Sequence, residues 1–176
     1  MLRKIALGLS VLVLALFIAG IAGYVITGPQ APAADSVSAQ WLKPGPYMTA
    51  SSDKVFVDSS RGTAANRDYS GAADRTLATT LWYPLDTEES HPLVIHSHGF
   101  TSARNDLSYV AELLASHGYI VAAADYPLTH GGAPGKPNAV DVVNQPADVS
   151  FLIDSVSALS GPEKPFSGSI DASRIG

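Results

Sequence analysis

Two short, almost continuously apolar segments constrain the fold of this chain more than any other feature: PLVIHSH at 92–98 and YIVAAADYP at 119–127. Such runs are typical of strands that are buried on both faces of a parallel sheet. The residues between them, 106–118, carry apolar side chains at helical spacing, and a second helix is predicted from Pro146 onward. The segment IDASRIG at 170–176 resembles the start of a further strand. Strands that alternate with helices predict an α/β fold, with a mostly parallel sheet and flanking helices.

An apolar segment at the N-terminus precedes this pattern. Arg3 and Lys4 are followed by an uncharged run whose strongly apolar part covers residues 5–26. A helix needs about 20 such residues to span a bilayer, so this run predicts membrane contact through 5–26. Residues 1–27 are predicted to be a signal anchor, or a signal peptide with small residues for cleavage at 31–33. The remainder is then exported: anchored outside the cytoplasm, or secreted or periplasmic after cleavage.

The rest of the chain divides into a linker and a domain. Residues 28–53 are rich in Ala, Pro, Gly and Ser, which predicts a linker, and residues 54–176 are predicted to hold one folded domain. The chain has no cysteine, which excludes disulfides and thiolate metal sites. Its formal net charge is −5, with no basic cluster beyond the N-terminus, which argues against a nucleic-acid partner. No cofactor is predicted.

Three His-Gly pairs are candidate functional features, and their contexts differ. His117-Gly118 follows a predicted helix, where a histidine in the last turn and a left-handed glycine are a common ending. His130-Gly131 lies in a loop rich in Gly and Pro, which favours a loop of no catalytic role. His98-Gly99 lies between a buried strand and a helix, at the carboxyl end of a parallel strand. In open α/β sheets that edge is where sites are built.

The chemistry of the His98-Gly99-Phe100 turn suggests an anion site. Glycine permits a sharp turn and a close approach of the backbone to a ligand. The amides of Phe100 and Thr101 are expected near the start of the next helix, where free N–H groups favour negative charge. Fixed donors of this kind form an oxyanion hole, where each is worth roughly 3–4 kcal/mol of transition-state stabilisation. The alternative is an ordinary strand-to-helix turn with a structural histidine.

A metal site is a further alternative. His96 and His98 form a His-x-His pair, as in some zinc sites. Such a site needs additional histidine or carboxylate ligands, and the other histidines show no recognisable spacing. The sequence thus leaves a metal-dependent hydrolase as a less favoured hypothesis.

Several segments together resemble a known group of enzymes. The segments SRGTAANRDYSGAADRTLATTLWYP, PLVIHSHGFTSARNDLSYVAELLASHGYIVAAADYP and IDASRIG are similar, in this order, to α/β-hydrolases grouped around plasma-type platelet-activating factor acetylhydrolases and dienelactone hydrolases. The part HGFTSARNDLSYVAELLASHGY also resembles cutinase-like polyesterases, in which Pro-Gly-Tyr takes the place of His98-Gly99-Phe100. The resemblance covers roughly residues 55–176.

The resemblance implies an ester hydrolase with a serine nucleophile and an acyl-enzyme mechanism. It implies that the Phe100 N–H is one oxyanion-hole donor, presented by His98 and Gly99, and that the Phe100 ring flanks the acyl group. Small-molecule, lipid and polymer esters are all compatible substrates. In this group a strand like IDASRIG leads into a Gly-x-Ser-x-Gly elbow, with the acid and the histidine further on.

No Gly-x-Ser-x-Gly occurs in residues 1–176. The domain at 54–176 is therefore expected to be the N-terminal part of an α/β-hydrolase fold, truncated before the nucleophile elbow and inactive by itself. The remaining alternative is a non-catalytic, membrane-tethered module with a hydrolase-like half-fold.

Overall fold

The computed structural model describes residues 2–28, 30–159 and 164–176. It forms two compact units, residues 1–43 and residues 44–176. The first unit contains helix α1 (Leu2–Thr27) and the short helix α2 (Val37–Trp41). The Ser10–Thr27 part of α1 has the length and apolarity of a membrane-spanning helix, which are equally those of a signal sequence, and it is exposed throughout.

The second unit is a five-stranded sheet with helices on its faces. Its elements are β1 (Thr49–Asp58), β2 (Arg75–Pro84), β3 (Ser90–His96), α3 (Ser108–Ser116), β4 (Ile120–Asp125), a 3₁₀ helix (Ala139–Asn144), α4 (Gln145–Ser157) and β5 (Ser169–Ile175). The order of the strands across the sheet is β1-β2-β4-β3-β5. The alternation of strands and helices predicted from the sequence is confirmed.

The sheet is mixed, which corrects the prediction of a mostly parallel one. β3 lies parallel to both β4 and β5, but β2 is antiparallel to both β1 and β4. The segment between β2 and β3 covers only residues 85–89, and a parallel crossover needs about a dozen residues. β3 therefore runs opposite to β2 and lies beyond β4.

The two helices cover opposite faces because side chains alternate along each strand. On one face Leu81 and Ala122 pack against Leu152 and Val156 of α4. On the other face Trp82 and Val121 contact α3 through small side chains, Ala111 and Ala115. The domain starts earlier than the predicted residue 54, since β1 begins at Thr49.

A buried ionic cluster joins the start of β2 to the helical segment. Arg75 is 1% exposed and donates to Asp148 at 2.8 and 2.6 Å. It also donates to Asp141 at 3.2 and 3.0 Å. Full hydrogen bonding of this kind is what makes a buried charge tolerable. Arg75 thereby ties the 3₁₀ helix and α4 to the start of β2.

Candidate active-site turn

The turn of interest starts where β3 ends. β3 closes with His96, and His98, Gly99 and Phe100 follow at the carboxyl edge of the sheet, as predicted. Helix α3 does not begin until Ser108, so seven residues separate Phe100 from the helix. The amides of the turn are therefore not part of a helix N-terminus, and that part of the prediction was wrong. The turn is stabilised by its neighbours instead.

His98 is a buried strut inside the turn. Its side chain is 4% exposed, and its Nε2 accepts a hydrogen bond from the Tyr126 N–H at 3.3 Å. Because Nε2 accepts, the proton of the neutral ring lies on Nδ1, which donates to the Gly99 carbonyl at 2.8 Å. The ring also packs on Tyr126, with centroids 5.2 Å apart. His98 thus fixes the orientation of the peptide group that follows Gly99.

Tyr126 packs against this histidine. It is fully buried, and its hydroxyl shares a 2.6 Å hydrogen bond with the Ser97 hydroxyl. Burial, despite the Ser97 hydrogen bond, raises the pKa of the Tyr126 phenol. The phenol therefore stays protonated and acts as a neutral hydrogen-bonding group.

The left-handed residue of the turn is Thr101, not Gly99. Thr101 has φ +67°. Gly99 is not among the residues with positive φ, and a Cβ added to it would meet no atom within 4 Å. The turn closes through the Ser102 N–H, which donates to the Gly99 carbonyl at 2.9 Å. The Thr101 N–H donates to the Thr129 carbonyl at 2.9 Å, so it is not available as an anion donor. The space beside Gly99 leaves the turn open to a ligand.

Phe100 is the exposed element of the turn. In the part of the chain that the structure describes, the Phe100 N–H has no hydrogen-bond acceptor. The residue is 49% exposed. Phe100 therefore combines an unpaired backbone donor with an apolar surface.

The loop after β4 holds the turn from one side. The Gly131 N–H donates to the Ser102 carbonyl at 2.8 Å. A Cβ on Gly131 would lie 2.7 Å from the Thr101 carbonyl oxygen, so this close approach requires glycine. The sequence disfavours a catalytic role for the His130-Gly131 pair, and in the structure its glycine braces the His98-Gly99 turn.

An ion pair holds the turn from the other side. The Arg104 N–H donates to Asp125 Oδ1 at 2.8 Å, and the Arg104 guanidinium forms an ion pair with the same carboxylate. Arg104 Nε also donates to the Thr80 hydroxyl at 3.0 Å. Sequence reasoning missed this clamp, and a single arginine in a polar loop gives little signal for it.

His96 and Asp106 close the base of the turn. His96 Nε2 lies 2.7 Å from Asp106 Oδ1, and the Ser102 hydroxyl donates to Asp106 Oδ2 at 2.6 Å. Although burial opposes it, hydrogen bonds from Ser102 and His96 hold the pKa of Asp106 below its usual value.

The arrangement of the histidines does not form a metal site. His96 pairs with Asp106, and the lone pair of His98 accepts from Tyr126. Among residues 2–28, 30–159 and 164–176, no three His, Cys, Asp or Glu side chains are grouped to bind an ion. These contacts correct the hypothesis of a His-x-His metal centre in this part of the chain.

Comparisons with known proteins fit this geometry. The family model described as platelet-activating factor acetylhydrolase, isoform II, matches residues 29–127, more than half of the chain. A platelet-activating factor acetylhydrolase of Cavia porcellus is 49% identical over 43 residues, which cover 24% of this chain and 10% of that protein.

A solved structure gives the same fold. A ferulic acid esterase from Streptomyces cinnamoneus matches with a TM-score of 0.54 and 24% identity, over 73% of this chain and 50% of that one. At this identity the likeness shows the fold alone. The matched parts of the chain cover half the length of that esterase and a tenth of the Cavia porcellus protein.

Proposed function

Because the chain belongs to the platelet-activating factor acetylhydrolase isoform II family, a family of ester hydrolases with the α/β-hydrolase fold, we propose that it supplies an oxyanion-hole turn for serine esterase chemistry. The donor is the Phe100 N–H, and His98 and Gly99 present it. The observation that carries the proposal is this unpaired N–H, held at the carboxyl edge of β3 by a turn braced on both sides.

The chemistry follows from where charge develops. Attack of a serine on an ester carbonyl gives a tetrahedral intermediate whose oxygen carries a negative charge. A preorganised N–H stabilises that charge without rearranging, and such a donor is worth about 3–4 kcal/mol. The braces from Thr129, Gly131 and Asp125 serve this purpose, since a donor that moved would lose most of its effect.

The nucleophile is proposed to follow β5 in the whole protein. β5 runs parallel to β3, with the Ile95 N–H donating to the Gly176 carbonyl and the Gly176 N–H donating to the Leu93 carbonyl. A chain continuing in that direction reaches the same edge as Phe100. A serine there, with the N–H of the next residue, would complete the oxyanion hole.

The substrate is proposed to be a carboxylic ester with an apolar acyl group. The exposed Phe100 ring beside the open space at Gly99 supports this, because an aromatic face contributes apolar contact to a bound acyl group. Small-molecule, lipid and polymer esters all satisfy that requirement.

The domain is further proposed to act outside the cytoplasm at a membrane. The exposed apolar stretch Ser10–Thr27 and the preceding Arg3 and Lys4 support an anchor. Protease added to intact spheroplasts tests this, because it reaches only the outer face of the membrane. Cleavage in the domain is expected without permeabilisation. A domain that is cleaved only after permeabilisation contradicts the proposal.

The first experiment reads the coding sequence beyond the Gly176 codon. An in-frame Gly-x-Ser-x-Gly within about a dozen codons supports the proposal, since the nucleophile elbow closes the strand that carries it. A stop codon directly after Gly176 contradicts it for this chain.

The second experiment removes one donor from the protein translated from the complete reading frame. Phe100→Pro deletes the N–H, and its kcat for 4-nitrophenyl acetate is expected to fall about 10²- to 10³-fold. Phe100→Ala is the matched control, because it keeps the N–H and loses only the ring. Equal kcat values for the two variants contradict the assignment. If Phe100→Pro does not fold, a backbone ester at position 100 removes the same N–H.

A further inference from the structure

A cleft of about 210 Å³, with a mainly apolar wall that carries several polar side chains, lies beside the loop after β4, and the proposed ester chemistry does not use it. It is formed by the loop between β1 and β2 and by the loop after β4. Its polar lining consists of Thr63, Tyr69, Asp74, Thr76, Asp125 and His130. The volume is below the range of about 300–1,000 Å³ that is typical of sites for drug-sized ligands, so it suits a small group.

The walls of the cleft are fixed to each other. The Asn66 side-chain amide donates to the Pro134 carbonyl at 2.9 Å and to the Lys136 carbonyl at 2.7 Å. Gly135 has φ +68°, and a Cβ there would lie 2.0 Å from the Asn66 carbonyl oxygen. The loop between β1 and β2 is therefore hydrogen-bonded to the loop after β4, and the cleft is preformed.

Three polar side chains of the lining lack internal partners. Within the described ranges, no hydrogen bond reaches the Asp74 carboxylate, the Tyr69 hydroxyl or the His130 ring. Asp125 differs, since its carboxylate pairs with Arg104. Polar groups that line a cleft without satisfying one another are available to a ligand.

The lining is rich in acceptors. It contains the unpaired Asp74 carboxylate and the Asp125 carboxylate, which Arg104 already pairs, and no lysine or arginine among the described residues lines it. Burial, more than the opposing attraction of Asp125, lowers the pKa of His130, so its ring stays neutral and keeps a lone pair. A ligand that carries positive charge and several N–H donors matches this set, and the Tyr69 ring adds a face for a cation.

We propose that this cleft binds a primary ammonium group, with Asp74 as its main charge partner and Tyr69 and His130 as further contacts. The site is distinct from the oxyanion turn, although Asp125 and the loop that carries His130 contact both. It does not depend on ester turnover, because binding of the cation alone is the readout.

The proposal is tested by titrating the full chain in detergent with propylammonium. Binding is monitored by NMR of the His130 ring and by calorimetry. Binding in the millimolar range is expected for so small a ligand. Asp74→Asn is expected to weaken binding about tenfold or more, because it removes the charge partner. The Asp74 carboxylate makes no internal hydrogen bond in the described part of the chain, and its backbone carbonyl, which accepts from the Thr63 hydroxyl at 2.7 Å, is unchanged by the substitution. This variant is therefore expected to keep the fold, as tryptophan fluorescence would show.

Matched controls separate the cleft from general electrostatics. Asp68→Asn removes an exposed carboxylate of the same loop that does not line the cleft, and it is expected to leave binding unchanged. Tyr69→Phe keeps the ring and is expected to cause a smaller loss. Neutral 1-propanol and the donor-free tetramethylammonium are both expected to bind at least about tenfold more weakly. Equal binding of either probe, equal effects of the two aspartate variants, or no binding overturns the proposal.

Discussion

The two loops that follow β3 and β4 both contain a His-Gly pair, yet their histidines have different surroundings. The His98 ring is 4% exposed and is hydrogen-bonded through both nitrogens. The His130 ring is partly exposed and lines the cleft. The glycines differ in the opposite sense, since Gly99 faces open space and Gly131 presses against the Thr101 carbonyl.

The same His-Gly pattern therefore has two different divisions between a structural residue and a residue that faces a ligand. In the first loop the histidine shapes the backbone and the glycine leaves room for a ligand. In the second loop the glycine makes the structural contact and the histidine is left available. A dipeptide therefore does not identify a site, and the contacts of each ring and each Cα do.

The largest expected loss of stability is at His98, and the matching substitution at His130 is expected to cost much less. His98→Ala removes a buried ring and leaves the Tyr126 N–H without a partner and the Gly99 carbonyl with the Ser102 N–H alone, which is expected to cost about 3 kcal/mol of the free energy of unfolding. His130→Ala removes a partly exposed ring with no hydrogen bond and is expected to cost less than about 1 kcal/mol. Urea unfolding in detergent, followed by tryptophan fluorescence, measures both. Equal losses would remove the distinction between the loops.

The glycines are expected to show the reverse order. Gly131→Ala places a Cβ 2.7 Å from the Thr101 carbonyl oxygen, so the backbone must shift at a cost of about 2 kcal/mol. Gly99→Ala meets no atom within 4 Å and is expected to stay within about 0.5 kcal/mol of the parent. The same unfolding measurement compares them, and a Gly99→Ala loss as large as that of Gly131→Ala would contradict the structure.

A smaller gain is expected at Thr101. Its φ of +67° is costly for a β-branched residue, and glycine adopts it freely. The greater freedom of glycine in the unfolded chain offsets part of this relief, so Thr101→Gly is expected to stabilise the domain by about 0.5 kcal/mol. Lys136, also at positive φ, offers a parallel control through Lys136→Gly. Destabilisation by both substitutions would contradict the expectation.

The smallest expected effect is an acid sensitivity of the first loop. Hydrogen bonds from Ser102 and His96, working against desolvation, hold the pKa of Asp106 below its value in the unfolded chain. Its contribution is therefore present above about pH 4, the unfolded value, and is lost as pH falls through the folded value. Asp106→Asn is expected to cost less than about 0.5 kcal/mol near neutral pH and almost nothing in stronger acid. A difference that stayed constant across this range would argue for a purely steric role.

The order of strands and helices was predictable because each element carries a local signature. The runs around Val94 and Ala122 are apolar on both faces, and Leu152 and Val156 recur at helical spacing. The edge strand β1 was harder to find. Its start, at Thr49, carries small polar residues on an exposed edge, and their composition matches that of a linker.

The braces of the site were not predictable in the same way. Arg104 and Asp125 lie 21 residues apart, and Asn66 contacts Pro134 and Lys136 about 70 positions along the chain. Neither pairing leaves a periodic or compositional trace, because only the folded sheet brings the partners together. The position of the turn could thus be predicted from the sequence, whereas the groups that hold it, and the use of the Thr101 N–H, could not.

The Arg75 cluster has a consequence for synthesis on the ribosome. Its two carboxylate partners lie 66 and 73 residues further along the chain. At about 5–20 residues per second, β2 emerges roughly 4–15 seconds before Asp148 does. Until then the guanidinium has to stay hydrated, so β2 cannot complete its burial in the nascent chain. The arginine thereby delays the final packing of this sheet until α4 has left the exit tunnel.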